Sequence, residues 1–125
     1  GFYGYAKINP EFVNCTFNCN EIRPIANNGD KITVTGCKFY NQYHYAVRIF
    51  ENAGERQTVV FTNNTFEGSN AKGEFEGVNI SKKGNTATVY ADFTISGNTA
   101  AKYRYHKNVT LDASCTGADL FEREK

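Results

Sequence analysis

One eight-residue pattern occurs four times along the chain, and it constrains the fold more than any other feature of the sequence. The copies are PEFVNCTF, ITVTGCKF, VVFTNNTF and FTISGNTA, which end at Phe17, Phe39, Phe66 and Ala100. Within a copy, apolar residues recur at every second position, which is typical of a β-strand with one buried face. An Asn or a Gly three residues before the end then indicates a bend, because both residues tolerate positive φ. The sequence is therefore a repeat.

The spacing of the copies predicts how the repeats are connected. They end 22, 27 and 34 residues apart, and unequal spacing around a constant motif is typical of a repeat with insertions at one corner. A second apolar segment follows each of the first three copies, as EIRPI, YAVRIF and GVNIS. Each repeat then holds a strand, a bend, a second strand and a variable loop. We expect an all-β chain in which successive repeats pair in parallel.

Composition and charge agree with this interpretation and exclude some functions. The chain has 15 Asn and 12 Thr but only two Pro and no Trp or Met, which favours strands separated by many corners. A net charge of +1 in 125 residues gives no electrostatic reason to expect nucleic acid. The chain also lacks a run of about 18 apolar residues, so no membrane span is expected.

The phrases V-x-x-N-N-T-F and I-x-G-N-T resemble the rungs of right-handed parallel β-helix proteins, the pectin-lyase-like superfamily, over about residues 10 to 100. The resemblance implies an all-β, right-handed parallel β-helix (solenoid) of about four turns, either whole or a fragment of a longer one. Residues 1–125 then form a single β-helix domain. Its parts are an edge strand or N-terminal cap at 1–9, rungs at 10–111 and a C-terminal tail or cap at 112–125. In the tail, a short helix is expected to start near Asp119 and to turn Leu120 and Phe121 towards the last repeat.

Equivalent positions of successive repeats should touch, because adjacent strands lie about 4.8 Å apart. The superfamily's internal Asn ladder at the bend carries over to Asn64 and Asn98, whereas Cys15 and Cys37 occupy that column in the earlier repeats and break the ladder there. Cys15 and Cys37 then either form a disulfide, for which the spacing is suitable, or remain two buried thiols. An internal aromatic stack is predicted for Phe17, Phe39 and Phe66.

Two aromatic clusters and one basic column are the candidate binding residues. Outward tyrosines on a rigid sheet offer a platform for sugar rings or for a partner protein, and the alternative is that they cover an edge by packing under loops. Arginines in one outward column predict either a small basic stripe or ordinary solvated side chains. These residues are Tyr43, His44 and Tyr45, then Tyr103, Tyr105 and His106, then Arg23 and Arg48.

The sequence contains no recognisable catalytic constellation. Lyases on this scaffold need an acidic calcium site and a base, and hydrolases need a carboxylate pair, but the four aspartates do not pair in the aligned columns. No cysteine or histidine spacing suits a metal, so no metal and no cofactor are expected.

These observations predict a non-catalytic module of a secreted or cell-surface protein of a bacterium or phage. It would act in adhesion, in glycan binding or as a rigid scaffold, with a polysaccharide or a host surface protein as its partner. The alternative is a fragment of a polysaccharide lyase or glycoside hydrolase whose catalytic turns lie outside this chain.

Overall fold

The structure is a computed structural model, and it describes residues 2–4, 9–18, 22–24, 31–42, 45–50, 54–68, 74–82, 87–99 and 102–125. Side chains are described throughout these ranges except at 2–4, 22–24 and 87. No helix in this part of the chain is long and apolar enough to cross a bilayer.

The described residues form three parallel sheets, with strands numbered here in chain order. The first sheet has the spatial order β1 (Phe2–Gly4), β4 (Ile22–Pro24), β7 (Tyr45–Phe50), β10 (Glu76–Ser81), β12 (Lys102–Tyr105), β14 (Glu122–Arg123). The second has the order β13 (Val109–Leu111), β11 (Ala87–Ser96), β8 (Arg56–Thr62), β5 (Lys31–Thr35), β2 (Glu11–Val13). The third has the order β3 (Thr16–Asn18), β6 (Lys38–Tyr40), β9 (Thr65–Glu67). The prediction of an all-β chain with parallel sheets is confirmed.

Strand pairing follows the columns of the sequence alignment. Ile32 of β5 pairs with Val59 of β8, and Val59 pairs with Phe93 of β11. Along β5 and β8, buried residues alternate with half-exposed ones, because successive side chains of a strand point to opposite faces. Each fully buried apolar side chain contributes about 1.5–3 kcal/mol by leaving water, so the alternation fixes the register of neighbouring repeats.

A stack of phenylalanines runs through the core beside the third sheet. The rings of Phe17 and Phe39 are 5.1 Å apart with an interplanar angle of 12°, and those of Phe39 and Phe66 are 5.1 Å apart at 15°. Phe75, which lies just before β10, extends the stack at 5.6 Å from Phe66. The aligned column indicates the first three rings, whereas Phe75 comes from a connecting segment that the alignment does not cover.

Asparagine amides join the bends of successive repeats. The Asn64 side chain, which is fully buried, accepts the Cys37 backbone N–H at 2.9 Å through Oδ1 and donates to the Val34 carbonyl at 3.0 Å through Nδ2. Asn98 does the same one repeat later, accepting the Asn64 N–H at 2.9 Å and donating to the Phe61 carbonyl at 2.8 Å. Each amide therefore satisfies one donor and one acceptor of the repeat before it.

Cys37 occupies the equivalent position one repeat before Asn64 and makes the donor bond of the amide. Its thiol donates to the Phe12 carbonyl at 3.3 Å, as the Asn64 amide donates to the Val34 carbonyl in the next repeat. A thiol is a weak donor and a weak acceptor, so it replaces the amide only in part. The cysteine column therefore weakens the ladder rather than ending it.

Asparagine and glycine alternate at the outer corner of the same bend. Asn14, Gly36, Asn63 and Gly97 have φ of 55°, 64°, 54° and 69° respectively. The Asn14 side chain lies against the Cα of Gly36, and the Asn63 side chain lies against the Cα of Gly97, where an added Cβ would collide with the amide oxygen. Gly36 and Gly97 are therefore needed for two reasons: their φ is positive, and a Cβ does not fit beside the neighbouring asparagine.

The C-terminal residues pack onto the last repeat. Ala118–Leu120 form a short 3₁₀ helix, and the Phe121 ring lies 4.6 Å from that of Phe93. Phe121 is buried as expected, but the prediction for Leu120 is wrong, because a single 3₁₀ turn points its side chain outwards and leaves it 51% exposed. Arg123 fixes the final strand by donating to the Lys107 carbonyl at 2.7 Å.

The contact between Asn63 and Gly97 is open to a direct test. Gly97→Ala should destabilise the protein by about 2 kcal/mol more than Gly54→Ala, because overpacking is added to the strain of positive φ. Gly54 is the matched control, since its φ is 83° and nothing lies within 4 Å of the added Cβ. Urea unfolding measures both, and Asn63→Gly should recover most of the extra loss in Gly97→Ala. Equal losses for the two alanine variants would contradict the contact.

Candidate functional site

A polar column crosses the first sheet on the side opposite its apolar residues. Register pairs Arg48 of β7 with Asn79 of β10, Asn79 with Arg104 of β12, and Arg104 with Glu122 of β14. The residues that flank Arg48 and Asn79 are fully buried core residues, namely Val47, Ile49, Val78 and Ile80. Alternation therefore places the polar side chains on the outer face of the sheet. We call these four residues the polar column.

Arg104 of the polar column makes ion pairs with two glutamates. Its Nη1 lies 2.8 Å from Glu76 Oε1, and its Nη2 lies 2.8 Å from Glu74 Oε1. Burial by itself would lower the pKa of Arg104, but the hydrogen bonds and charges of Glu74 and Glu76 outweigh it and hold the pKa above its ordinary value. The guanidinium is thus a permanent cation shared by two carboxylates.

Gln42 holds Glu76 in position. The Gln42 side chain is 1% exposed, donates to the Glu76 carbonyl at 2.6 Å and accepts the Glu76 N–H at 2.9 Å. These two bonds pair with the backbone of Glu76 as a neighbouring strand would. The Glu76 side chain is only 7% exposed, so its charge depends on Arg104 for compensation.

Arg48 covers Tyr45 instead of leaving its ring open. The Arg48 guanidinium lies 4.6 Å from the centre of the Tyr45 ring, a cation–π arrangement, and 5.9 Å from that of Phe50. Tyr45 is only 7% exposed. The prediction of Tyr45 as an exposed platform is therefore wrong, because alternation gives a side chain's direction but not what lies over it.

Tyr103 is a core residue and not a platform. It is 7% exposed and meets the Phe61 ring edge-on at 6.4 Å. Burial raises the pKa of its hydroxyl, and a hydrogen bond with Asn98 opposes that rise. Gly77 leaves the room that the ring needs, since an added Cβ there would lie 2.6 Å from Tyr103 Cε1. The prediction of an outward Tyr103 is wrong, because Arg104 lies on the outer face and alternation turns its neighbour Tyr103 into the core.

The remaining predicted binding residues do not form one site. Tyr105 is half-buried against the core with the Arg123 guanidinium 5.1 Å from its ring centre. His106 is half-buried, and its Nδ1 accepts the Asn108 N–H at 3.0 Å. Tyr43 and His44 lie outside the described residues. Arg23 lies in β4, and the pairing of β4 with β7 places its backbone next to that of Arg48. Its side chain is not among those that the structure describes.

A depression of about 520 Å³ opens at the end of the polar column that holds Arg104 and Glu122. Its lining residues are Arg104, Glu122, Arg123, Glu124 and Lys125. Sequence reasoning missed Arg104, Glu74 and Glu76, although the column of Arg23, Arg48 and Asn79 extends to Arg104 when KYRY is read as the next strand. The ion pairs themselves carry no such signal, because Glu74 and Glu76 precede Arg104 by 30 and 28 residues.

Cys15, Cys37 and Cys115 are free thiols, and Cys19 lies outside the described residues. Cys15 and Cys37 lie at adjacent bends, where the Lys38 N–H donates to the Cys15 carbonyl at 2.8 Å. Burial raises the pKa of the Cys37 thiol, and hydrogen bonds with the backbone of Cys15 and Thr35 offset only part of that rise. Of the two alternatives for this pair, the structure has the free thiols.

Among the described residues, no three His, Cys, Asp or Glu side chains are grouped so that they could hold a metal ion. Comparison with family models, with curated proteins and with solved structures finds no match to this chain. The resemblance to the pectin-lyase-like superfamily therefore stays a prediction.

The Glu76–Arg104 pair should contribute to stability. Arg104→Ala should lower the free energy of unfolding by about 3 kcal/mol, because it leaves the buried Glu76 charge without its partner. Arg56→Ala is the control: Arg56 pairs with Asp92 at 3.0 Å, but both side chains are 40% exposed, so the loss should stay below about 1 kcal/mol. Chemical denaturation measures both variants. Similar losses would show that Glu76 does not depend on Arg104.

Cys37 should react slowly in the folded protein, with a pH dependence that follows from its raised pKa. A higher pKa means less thiolate at a given pH, so alkylation by iodoacetamide should rise at a higher pH in the folded chain than in the urea-unfolded chain. Mass spectrometry of the Cys37 peptide at several pH values measures both profiles. Identical folded and unfolded profiles would contradict the buried position of the thiol.

Proposed function

We propose that the chain is a right-handed parallel β-helix module of a secreted or cell-surface protein, and that the outer face of its first sheet binds glycan. Three observations support the β-helix. From β2 to β10 the chain visits the second, third and first sheets in the same cyclic order, neighbouring strands come from successive repeats, and their pairing is parallel. Right-handed connections are expected because about 98% of parallel crossovers have that hand. The secreted or surface location is proposed from the resemblance.

The proposal of glycan binding rests on the polar column and on the depression at its end. Ligand sites place a few oriented polar groups in a concave surface, and here the cationic groups of Arg104, Arg123 and Lys125 line the depression together with the carboxylates of Glu122 and Glu124. The ion pairs of Arg104 and the Gln42 bonds to Glu76 hold these groups in fixed positions, so little side-chain entropy would be lost on binding. Sugar hydroxyls both donate and accept, and they suit a surface that offers both kinds of group.

A glycan array tests this function. The wild-type protein should bind, and the double variant Glu122→Ala/Glu124→Ala should bind at least about tenfold more weakly, because two acceptors are lost from the lining of the depression. Glu55→Ala/Glu67→Ala is the matched control, since it removes the same charge at two exposed positions outside that lining and should bind as wild type does.

Absence of binding to every glycan on the array would overturn the proposed function. Equal loss of glycan binding in the two double variants would also overturn it. Turnover of a uronate polysaccharide by the isolated chain would also overturn it and would favour the enzymatic alternative.

A further inference from the structure

We propose that Cys15 and Cys37 are a reversible redox pair, whose disulfide cross-links the first two repeats at the N-terminal end of the stack. The free thiols of the structure are then the reduced state of the pair. The proposal goes beyond glycan binding and uses only the secreted or surface location, since disulfides persist outside the reducing cytosol. Three observations support it: the placement of the two thiols, the incomplete ladder at their bend, and the position of that bend at the end of two sheets.

The two thiols lie against the same stretch of backbone. Cys37 Sγ is 3.3 Å from the Phe12 carbonyl oxygen, so this thiol extends towards the repeat that holds Cys15. Cys15 Sγ is 3.5 Å from the carbonyl oxygen of the next residue, Val13. Stacked strands lie about 4.8 Å apart, within the roughly 4.4–6.8 Å Cα separation that a disulfide tolerates. The bond therefore needs rotation of two side chains and no change of register.

The two thiols differ in exposure, and this difference sets the order in which they react. Cys37 is 1% exposed. Burial is the main cause of its raised pKa, and a hydrogen bond with the Cys15 side chain also raises it, as expected for neighbouring thiols. Cys15 is half-buried, so an external reagent reaches it first.

The reaction is thiol–disulfide exchange with a small external disulfide such as oxidised glutathione. The Cys15 thiolate attacks one sulfur of that disulfide, breaks its S–S bond and releases one thiolate. The Cys37 thiolate then attacks the Cys15 sulfur of the mixed disulfide, which forms the Cys15–Cys37 bond and releases the second thiolate. Two protein thiols are oxidised, the external disulfide is reduced to two thiols, and these take up the two protons that the cysteines lose. An excess of reduced thiol reverses both steps.

The hydrogen-bond ladder is incomplete at the bend that holds the two cysteines. Asn64 and Asn98 each accept one N–H and donate to one carbonyl of the preceding repeat. Within the described residues, Cys37 makes the donor bond alone, and a thiol is a weak donor. A disulfide would supply at this bend the connection that hydrogen bonds supply at the two later bends.

The same bend lies at the end of the stack, where the sheets are least supported. β2 and β3 are the terminal strands of the second and third sheets, so in the described part of the chain each pairs on one side only. Such elements open with a lower free energy than the centre of a protein. Cys15 and Cys37 are 22 positions apart, and a cross-link over that length removes many open states. The disulfide would therefore act as a redox-sensitive closure of the N-terminal end.

Oxidation by glutathione under native conditions tests the proposal. The dithiothreitol-reduced protein, transferred to oxidised glutathione, should lose the mass of two hydrogen atoms. Peptide mapping should then find the Cys15 peptide joined to the Cys37 peptide. The oxidised protein should unfold at a temperature about 10 °C higher than the reduced protein, and dithiothreitol should abolish the difference.

Cys37→Asn is the matched variant, because asparagine cannot cross-link but can make both bonds that Asn64 makes. Its unfolding temperature should be the same in oxidised glutathione and in dithiothreitol. If Cys37→Asn does not fold, Cys15→Ala replaces it and should likewise show no difference. Cys115→Ser is the control for an unrelated thiol and should keep the full difference of the wild type.

Three results would overturn the proposal. The first is the absence of a disulfide after oxidation, or a bond from Cys15 or Cys37 to Cys19 or Cys115 instead. The second is equal unfolding temperatures for the oxidised and reduced wild type, which would contradict the closure. The third is a redox-dependent unfolding temperature in Cys37→Asn. None of these results bears on glycan binding, which the array tests separately.

Discussion

The hydrogen bonds of Asn64 and Asn98 are the interaction on which the stacking of the repeats depends. At the bend, strands end and backbone groups lose their ladder partners, and a buried group left without a partner costs about 1–3 kcal/mol. The two amides supply those partners from the next repeat, at 2.8–3.0 Å. Because each amide contacts a fixed carbonyl and a fixed N–H, a shift of one residue between repeats would break every one of these bonds. The parallel register of the sheets follows from that requirement together with the buried apolar columns.

Much of the fold could be predicted from the sequence, since in-register stacking places equivalent residues of successive repeats in contact. The alignment column that holds Phe17, Phe39 and Phe66 is the ring stack of the structure, and the column that holds Asn64 and Asn98 is the amide ladder. What the alignment does not contain is the packing of segments outside the repeat. The alignment therefore does not predict that Phe75 joins the ring stack. It also gives no reason for Leu120 to point outwards, where an inward position was expected.

The candidate site was harder to predict, because it depends on contacts between different columns. Arg104 pairs with Glu76 at the start of β10 and with Glu74 two residues before it, and a bulge between Glu76 and Asn79 shifts the register against β12. A repeat alignment assumes constant register and cannot place such a pair. The predictions for the tyrosines were wrong for two different reasons. Arg48 covers Tyr45, and strand alternation gives no information about such coverage. Tyr103 points into the core because its neighbour Arg104 lies on the outer face of the sheet.

The proposed ligand site follows from the same stacking that builds the core, since register alone brings Arg48, Asn79, Arg104 and Glu122 into one line. Mapping backbone amide shifts by NMR during titration with an oligosaccharide that binds on the glycan array tests this account most directly. We predict that the largest shifts fall on Asn79, Arg104 and residues 122–125. Shifts confined to the third sheet, at Lys38–Tyr40 and Thr65–Glu67, would contradict the account.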